Sequence, residues 1–477
     1  MYPRRRAQRP APRRPAVLLA TTVALAALAS ACTGGGSRTG GDESPSSSSH
    51  ASSASPTPSA SSGAPVPLTL RFAVYGGRAD VRAYEGLASS YMRAHPEVTV
   101  HVEAVRDEAA SVERLEGQFD GDRAPDVFLA DSSNLPTLVG ERRVQPVDRL
   151  LEQRNVAFGE RYERLGLEAF SADSSLQCMP NNVSPQVVFY NKRLLTPSEV
   201  SVPGVDPPNP QDGWNWAQFE AAARNISAIG VTGVYLEPAL TTLTPFLRSS
   251  GADVVDDPQA PTTLMLSDPG SRDALQTILG LARDRGVNLR PTPTAGRTAA
   301  QSALKRFEAG RLGMLIGTRA LVPRLRHQPG LRFDVYPLPR LGSFRTTADV
   351  TGYCISRTSQ HVDAAADFIA YASSDVGARI TARSGGIVPA NLAALQSAAF
   401  KDPHQLPRHV EVFTTVIRRA DTMPDAAGWP DVVSATQPLL NRLFYAPHVN
   451  VGPLLTRIDR LSATLLAGPS PSPTPTS

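Results

Sequence analysis

The sequence predicts an α/β protein of two lobes, built on a mostly parallel sheet covered by helices. Three observations carry that expectation. Period-two and helix-period apolar spacing alternate as strand, helix, strand, helix, strand over residues 68–130, the pattern of parallel strands joined by crossover helices. The alternation resumes in the second half of the chain, and no fixed-period repeat is evident. About 400 residues of ordinary apolar content lie between the two low-complexity ends, too many for one small core.

The elements follow in order. Leu68, Leu70, Phe72 and Val74 alternate with polar or small residues in LTLRFAVY, a strand. Asp80 is placed to cap the next helix, in which Tyr84, Leu87, Ala88 and Tyr91 share a face. Val98, Val100 and Val102 alternate in a second strand, and a helix over 107–120 precedes a short third strand at 126–130. Ligands of open α/β sheets bind beyond the carboxyl ends of strands. Tyr75-Gly76-Gly77-Arg78 and Asp131-Ser132-Ser133 are therefore candidate site loops, with solvated turns as the competing reading. Asn215 and Gln218 form a capping box, opening a helix with Trp216 and Phe219 that stops at Gly230. A helix from about residue 271 sets Ala274, Leu275, Ile278 and Leu281 on one face and stops at Gly286. Residues 299–308 form another, turning at Gly310 into the strand Met314-Leu315-Ile316; 350–355 read as strand and 362–372 as helix.

The ends have a different character. Arg4, Arg5, Arg6, Arg9, Arg13 and Arg14 precede an apolar run over 16–31 that closes as Leu28-Ala29-Ser30-Ala31-Cys32. A run this short, with this basic flank, is an export signal (residues 1–31) and not a membrane span. The stretch resembles the lipobox of bacterial lipoproteins, with Ala29 where Leu is commoner and Leu28 one place early. That resemblance implies lipid on Cys32; the competing reading is plain cleavage after Ala29-Ser30-Ala31. Residues 32–66 are a tether almost without large apolar side chains, expected to be disordered, with a root-mean-square reach of roughly 30 Å. The tail 468–477 is Pro/Ser-rich and expected to be disordered as well.

Charge excludes one function class. The six arginines of residues 1–31 face no acidic residue there, so removing them takes the net charge from +4 to about −2 (+4 − 6). No basic nucleic-acid face is left. If Cys32 carries lipid, Cys178 and Cys354 remain as a pair in an oxidising compartment, where a disulfide persists; two buried free thiols are the alternative.

A series of further stretches resembles, in order, the extracellular solute-binding proteins of carbohydrate-type ABC importers, the maltose-binding-protein-like family. RAPDVFLAD is similar to the family's PDV strand, and CMPNNVSPQVVFYNKRLL, with Tyr190-Asn191-Lys192, to the segment that passes between lobes. WNWAQFEAAAR and FEAGRLGMLIGTR follow, the latter with Gly313 where Ala is usual, then VYPLPRL, GYCISRTSQHVDAAADFIAY and SGGIVPA. The resemblance spans about residues 68–465. It implies a two-lobed periplasmic-binding-protein-like fold of type II, with hinge-crossing strands that close over ligand. It places crossings near 182–184, 317–319 and 356–359, with one lobe in 67–183 and 319–356 and the other in 184–318 and 357–465. It also puts Cys178 and Cys354 on neighbouring strands of one lobe, which favours the disulfide.

A polyol ligand needs planar donors and acceptors for its hydroxyls and aromatic faces for its C–H surfaces. Tyr75, Arg78, Asp131 and Ser132 are candidates from the two loops, although Asp131 suits a helix N-cap equally. Asn182 sits at a crossing, either on ligand or satisfying buried backbone. Tyr235-Leu236-Glu237-Pro238 resembles a second-lobe loop whose Glu contacts sugar in the family's maltose-binding member, which makes Glu237 a candidate. Tyr353 and Trp429 either stack on a sugar ring or pack a core; Trp216 belongs to the core. Arg319 stands where family members often carry an aromatic. A guanidinium there clamps hydroxyls, a carboxylate or a phosphate, opening the ligand class to acidic and phosphorylated solutes.

No G-x-S-x-G elbow, H-E-x-x-H or Gly-rich phosphate loop is present. His404 and His409, five apart in a Pro-containing stretch, read as solvated loop residues. No catalytic residue, metal site or cofactor is therefore expected. A glycosidase needs only two carboxylates and no motif, so a secreted, anchored glycoside hydrolase is the alternative, and a sensory or adhesive protein reusing the fold is a third class. The sequence thus points to a monomeric, lipid-anchored binder of a small solute, a sugar or oligosaccharide first. It would present that solute to an ABC permease at the extracytoplasmic face of the bacterial cell membrane.

Overall fold

The computed structural model describes residues 68–121, 123–209, 213–291 and 298–467. The signal-like segment 1–31, Cys32, the tether and the tail 468–477 lie outside the described residues. Two sheets organise the rest. In the seven-stranded sheet, Ala420–Asp421, Thr346–Ser356, Val127–Asp131, Leu68–Tyr75 and Val98–Val105 lie side by side, and Val144–Gln145 and Cys178–Pro185 also pair along Thr346–Ser356. The four-stranded sheet runs Phe333–Tyr336, Val187–Asn191, Leu312–Gly317, Thr232–Tyr235.

Leu68–Tyr75 pairs in parallel with both Val98–Val105 and Val127–Asp131, as the crossover pattern requires. The sheets are otherwise mixed, which corrects the mostly parallel expectation. Thr346–Ser356 runs antiparallel to Val127–Asp131 and to Cys178–Pro185, because it enters the first sheet from the second lobe's end. Cys178 and Cys354 are directly opposed in that antiparallel pair and joined as a disulfide, Cα atoms 4.4 Å apart across a sequence separation of 176.

Strand alternation sorts the core. Phe189, Leu315 and Phe333 face an apolar core continuous with that of the first sheet. Their neighbours Val188, Tyr190 and Met314 face a second core, with Trp216, Phe219, Phe246, Leu443 and Phe444. Gly313 stands between these layers for a steric reason: a Cβ there would lie 2.5 Å from Ile226 Cδ1 and 2.8 Å from the Gly233 carbonyl. The Asn215–Gln218 capping box forms, with Asn215 Oδ1 accepting from Gln218 N at 2.9 Å. Asp107 caps Glu108–Asp120. Asp80 is not a cap: its helix begins at Arg78, behind Gly77, so Asp80 falls inside the first turn.

The crossing points differ from two of the three expected. The chain does pass between sheets at Gln186, next to the expected 182–184. It does not pass at 317–319, because Phe333–Tyr336 pairs with Val187–Asn191 in the second sheet; the passage comes between Tyr336 and Thr346. Nor does it leave at 356–359. Phe368 of Val362–Ser373 packs on Phe72 and Tyr91, so that helix covers the first sheet. The last passage follows Asp421, and Trp429–Tyr445 joins the second core. Residues 333–336 and 362–421 therefore belong to the opposite lobes from those expected.

Candidate ligand-binding cleft

The carboxyl ends of Leu68–Tyr75 and Val127–Asp131 open onto a cavity of about 650 Å³ between the lobes, within the size range of small-molecule sites. Tyr75 and Gly76 border it, with Gly76 at φ +137°, a conformation L side chains rarely adopt. Strand register supplies the floor. Asp131 lies opposite Thr351, and Thr351 opposite Asn182, a row across three strands. One pleat further, Asp349 lies opposite Ser184, and all five residues line the cavity. A bulge at Asn181 interrupts the ladder there. Asn181 is thereby turned inward, accepting from Thr351 Oγ1 at 2.7 Å and donating to the Tyr84 hydroxyl at 3.0 Å.

The cavity gathers carboxylates. Asp80, Glu108, Asp131, Asp349 and Asp425 all border it. Burial is the first cause raising each of them. Glu108, Asp349 and Asp425 are pushed up to about 7, and Asp131 is the neighbouring charge common to all three. Asp349 faces water inside the cavity while protein surrounds it on its other sides. Among the described residues no Lys, Arg or His lines the space. The facing helices are neutral, with Thr241, Trp429, Pro430, Val433 and Ser434, and Asp425 lies in the connection just before Trp429.

Residues 86–408 match the model of the bacterial extracellular solute-binding proteins. The chain belongs to that family. No protein of curated function matches its sequence. Solved structures share its fold. The ABC substrate-binding protein Lmo0181 from Listeria monocytogenes, in complex with cycloalternan, aligns with TM-score 0.72 at 17% identity, covering 84% of this chain and 99% of that one. The GacH receptor of Streptomyces glaucescens, described unliganded and with acarbose, gives 0.70 at 19%, covering 84% and 99%. The sugar-binding protein MalE from Xanthomonas citri gives 0.69 at 18%, covering 84% and 97%. Membership of this family places the protein outside the cytoplasm. Among the described residues no helix is long and apolar enough to cross a membrane.

The solute-binding protein's cleft brings together Tyr75, Asp131, Ser132, Asn182 and Trp429 of the sequence candidates. Two of them also serve the backbone. Asp131 Oδ1 accepts from Ser133 N at 3.0 Å and Ser133 Oγ at 2.7 Å, while Asn182 Oδ1 accepts from Val388 N at 2.8 Å. The other four candidates lie elsewhere. Arg78 is exposed at the start of its helix. Glu237 is half-buried and does not line the cavity; burial first, and then its charge, raises Tyr235 and Tyr445. Tyr353 is 1% exposed and packs against Phe72 and Tyr84.

Arg319 departs furthest from expectation. It is fully buried, donating to the Gly385 carbonyl at 3.0 Å and the Phe400 carbonyl at 2.7 Å, with its guanidinium 3.9 Å from the Phe400 ring centre. Burial lowers it to about 9. It is a strut between the end of Leu312–Gly317 and the first lobe's loops, not a ligand clamp. His409 is also more than a solvated loop residue, since its Nδ1 lies 3.1 Å from buried Asp334 Oδ2.

Sequence reasoning missed Asp80, Glu108, Asp349 and Asp425. Asp349 left a trace: the one charged residue of Thr346–Ser356 is unfavourable there unless it faces water or a partner.

Proposed function

We propose that this solute-binding protein captures a sugar or oligosaccharide in the cleft and delivers it to an ABC importer, held at the extracytoplasmic face of the membrane by lipid on Cys32. The observation that carries the reading is the cavity itself: carboxylate, hydroxyl and amide groups on one side, Trp429 on the other, where the chain passes between lobes. Neutral and charged acceptors bind ring hydroxyls, and an aromatic edge covers C–H surface. The related proteins described with cycloalternan and acarbose support the same ligand class. Closure of the lobes brings both sides onto one ligand, so the closed form is favoured by the difference in contacts between the two states.

The protein acts as a monomeric binder without turnover. Glu108 and Asp349 near 7 in a cleft of carboxylates are the one observation that favours the hydrolase reading, since glycosidases use a raised carboxyl as acid. Calorimetric titration with maltotriose, acarbose and cycloalternan, followed by a reducing-end assay, separates the two. Saturable binding with no new reducing ends is expected; their release overturns the binder reading. Metabolic labelling with palmitate tests the anchor, and should be lost in Cys32→Ser.

A further inference from the structure

We propose that the cleft selects a cationic saccharide, one carrying a protonated amine among its hydroxyls; this rests on the reading of the cleft as the solute site. Five carboxylates border one cavity of about 650 Å³. None of the five has a cation among the causes that shift it; hydrogen bonds from neutral groups such as Ser133, Asn134 and Thr318 are what oppose the rise. The two nearby arginines do not line the cavity: Arg319 is buried outside it with Nε and Nη2 on backbone carbonyls, and Arg78 is exposed at the start of its helix. Like charges held this way repel one another until a positive charge enters. A neutral sugar relieves none of that repulsion, because a hydroxyl brings no charge.

Three wall atoms add an independent sign. The Tyr75 hydroxyl, Asp80 Oδ1 and Asp425 Oδ1 are buried without a hydrogen-bond partner. Native proteins rarely leave buried polar atoms unpaired, and the two carboxyl oxygens accept only when ionised, the form that a bound cation favours. An ammonium group offers three donors and no acceptor, the complement of that set. A metal ion fits less well, since among the described residues no three His, Cys, Asp or Glu groups converge closely enough to hold one. A linear polyamine would satisfy the charge alone. It would leave unused the neutral groups between the carboxylates, Ser132, Asn182, Thr241, Thr318 and Ser434, which suit ring hydroxyls.

Matched sugars test the idea. Glucosamine and galactosamine, with the free-amine glucosamine dimer and trimer, are titrated into the purified chain near neutral pH beside their N-acetyl and neutral counterparts. Calcium and spermidine are titrated in parallel. The best free-amine sugar is expected to bind at least about tenfold more tightly than its N-acetyl form, with the ratio shrinking at high salt. Asp349→Asn and Asp425→Asn should each shrink it too, and two variants guard against one failing to fold. Equal or reversed preference overturns the cationic selection while leaving the cleft as the sugar site. Binding of calcium or spermidine without any amino sugar overturns it in favour of a simple cation. No binding of any sugar overturns the proposal together with the cleft reading.

Discussion

The first-lobe side of the cleft carries Asp80, Glu108, Asp131 and Asp349, whereas the facing helices of the second lobe present Thr241, Trp429, Val433 and Ser434. One side concentrates charge on strands and first helical turns; the helices of the other offer area and hydroxyls, with Asp425 alone in the connection that leads into them. The difference shows how a hinged binder can divide its work. The charged side is unfavourable while the cleft is empty, and the neutral side contributes little until closure covers the ligand. Neither suffices alone, which makes the open and closed states differ most when ligand is present.

Substitutions can break this division, beginning with the strut behind it. Arg319→Ala removes two hydrogen bonds to carbonyls and the contact with Phe400. It should lower the unfolding free energy by about 3–5 kcal/mol, read by urea denaturation. Arg319→Lys should recover less than half, because an ammonium cannot reproduce the planar fork. Trp429→Ala strips the neutral side. Trp429 is also 4% exposed in the second core, so stability should fall by about 3 kcal/mol. Affinity for every bound sugar should fall about tenfold by calorimetry, with Trp429→Phe keeping most of both. Asn182→Ala frees the Val388 N–H on the charged side and should cost about 1 kcal/mol of stability by the same denaturation measurement.

The smallest effect sharpens the comparison most. Carboxyls raised to about 7 hold protons in the folded state that the unfolded chain has released above its ordinary value near 4. Their stabilisation is full below that lower value and is lost as pH rises through about 7. The empty protein should therefore lose melting temperature between pH 5 and pH 8, and Asp131→Asn should flatten the loss by roughly 1–3 °C in a thermal scan. A steeper profile in Asp131→Asn would contradict the shared repulsion.

Local periodicity made much of the fold legible. Leu68–Tyr75 and Ala299–Glu308 form where the sequence indicates them, and the Asn215–Gln218 box is complete. Crossing points were less legible, because nothing local in FDVY or in Val362–Ser373 says which sheet it joins. The site divides the same way. Tyr75, Asp131 and Ser132 follow from a rule about strand ends, Asn182 from the family resemblance, and Trp429 from the need of a sugar for an aromatic face. Asp425, in a short connection after Pro424, and Glu108, on an ordinary helix, become site residues only through tertiary placement. Arg319 misled because a charged side chain at a family ligand position gives no sign that it is wholly buried.

The Cys178–Cys354 bond has one more consequence. In a strand, a slip of one residue exchanges the two faces of the pleat. Such a slip of Thr346–Ser356 against Cys178–Pro185 would swap what Asp349 and Thr351 present for what Ala348 and Val350 present. The covalent tie at the far end of this pair works as an index pin. The cleft face can then take other side chains at Asp349 or Thr351 while the strand beneath them stays in step.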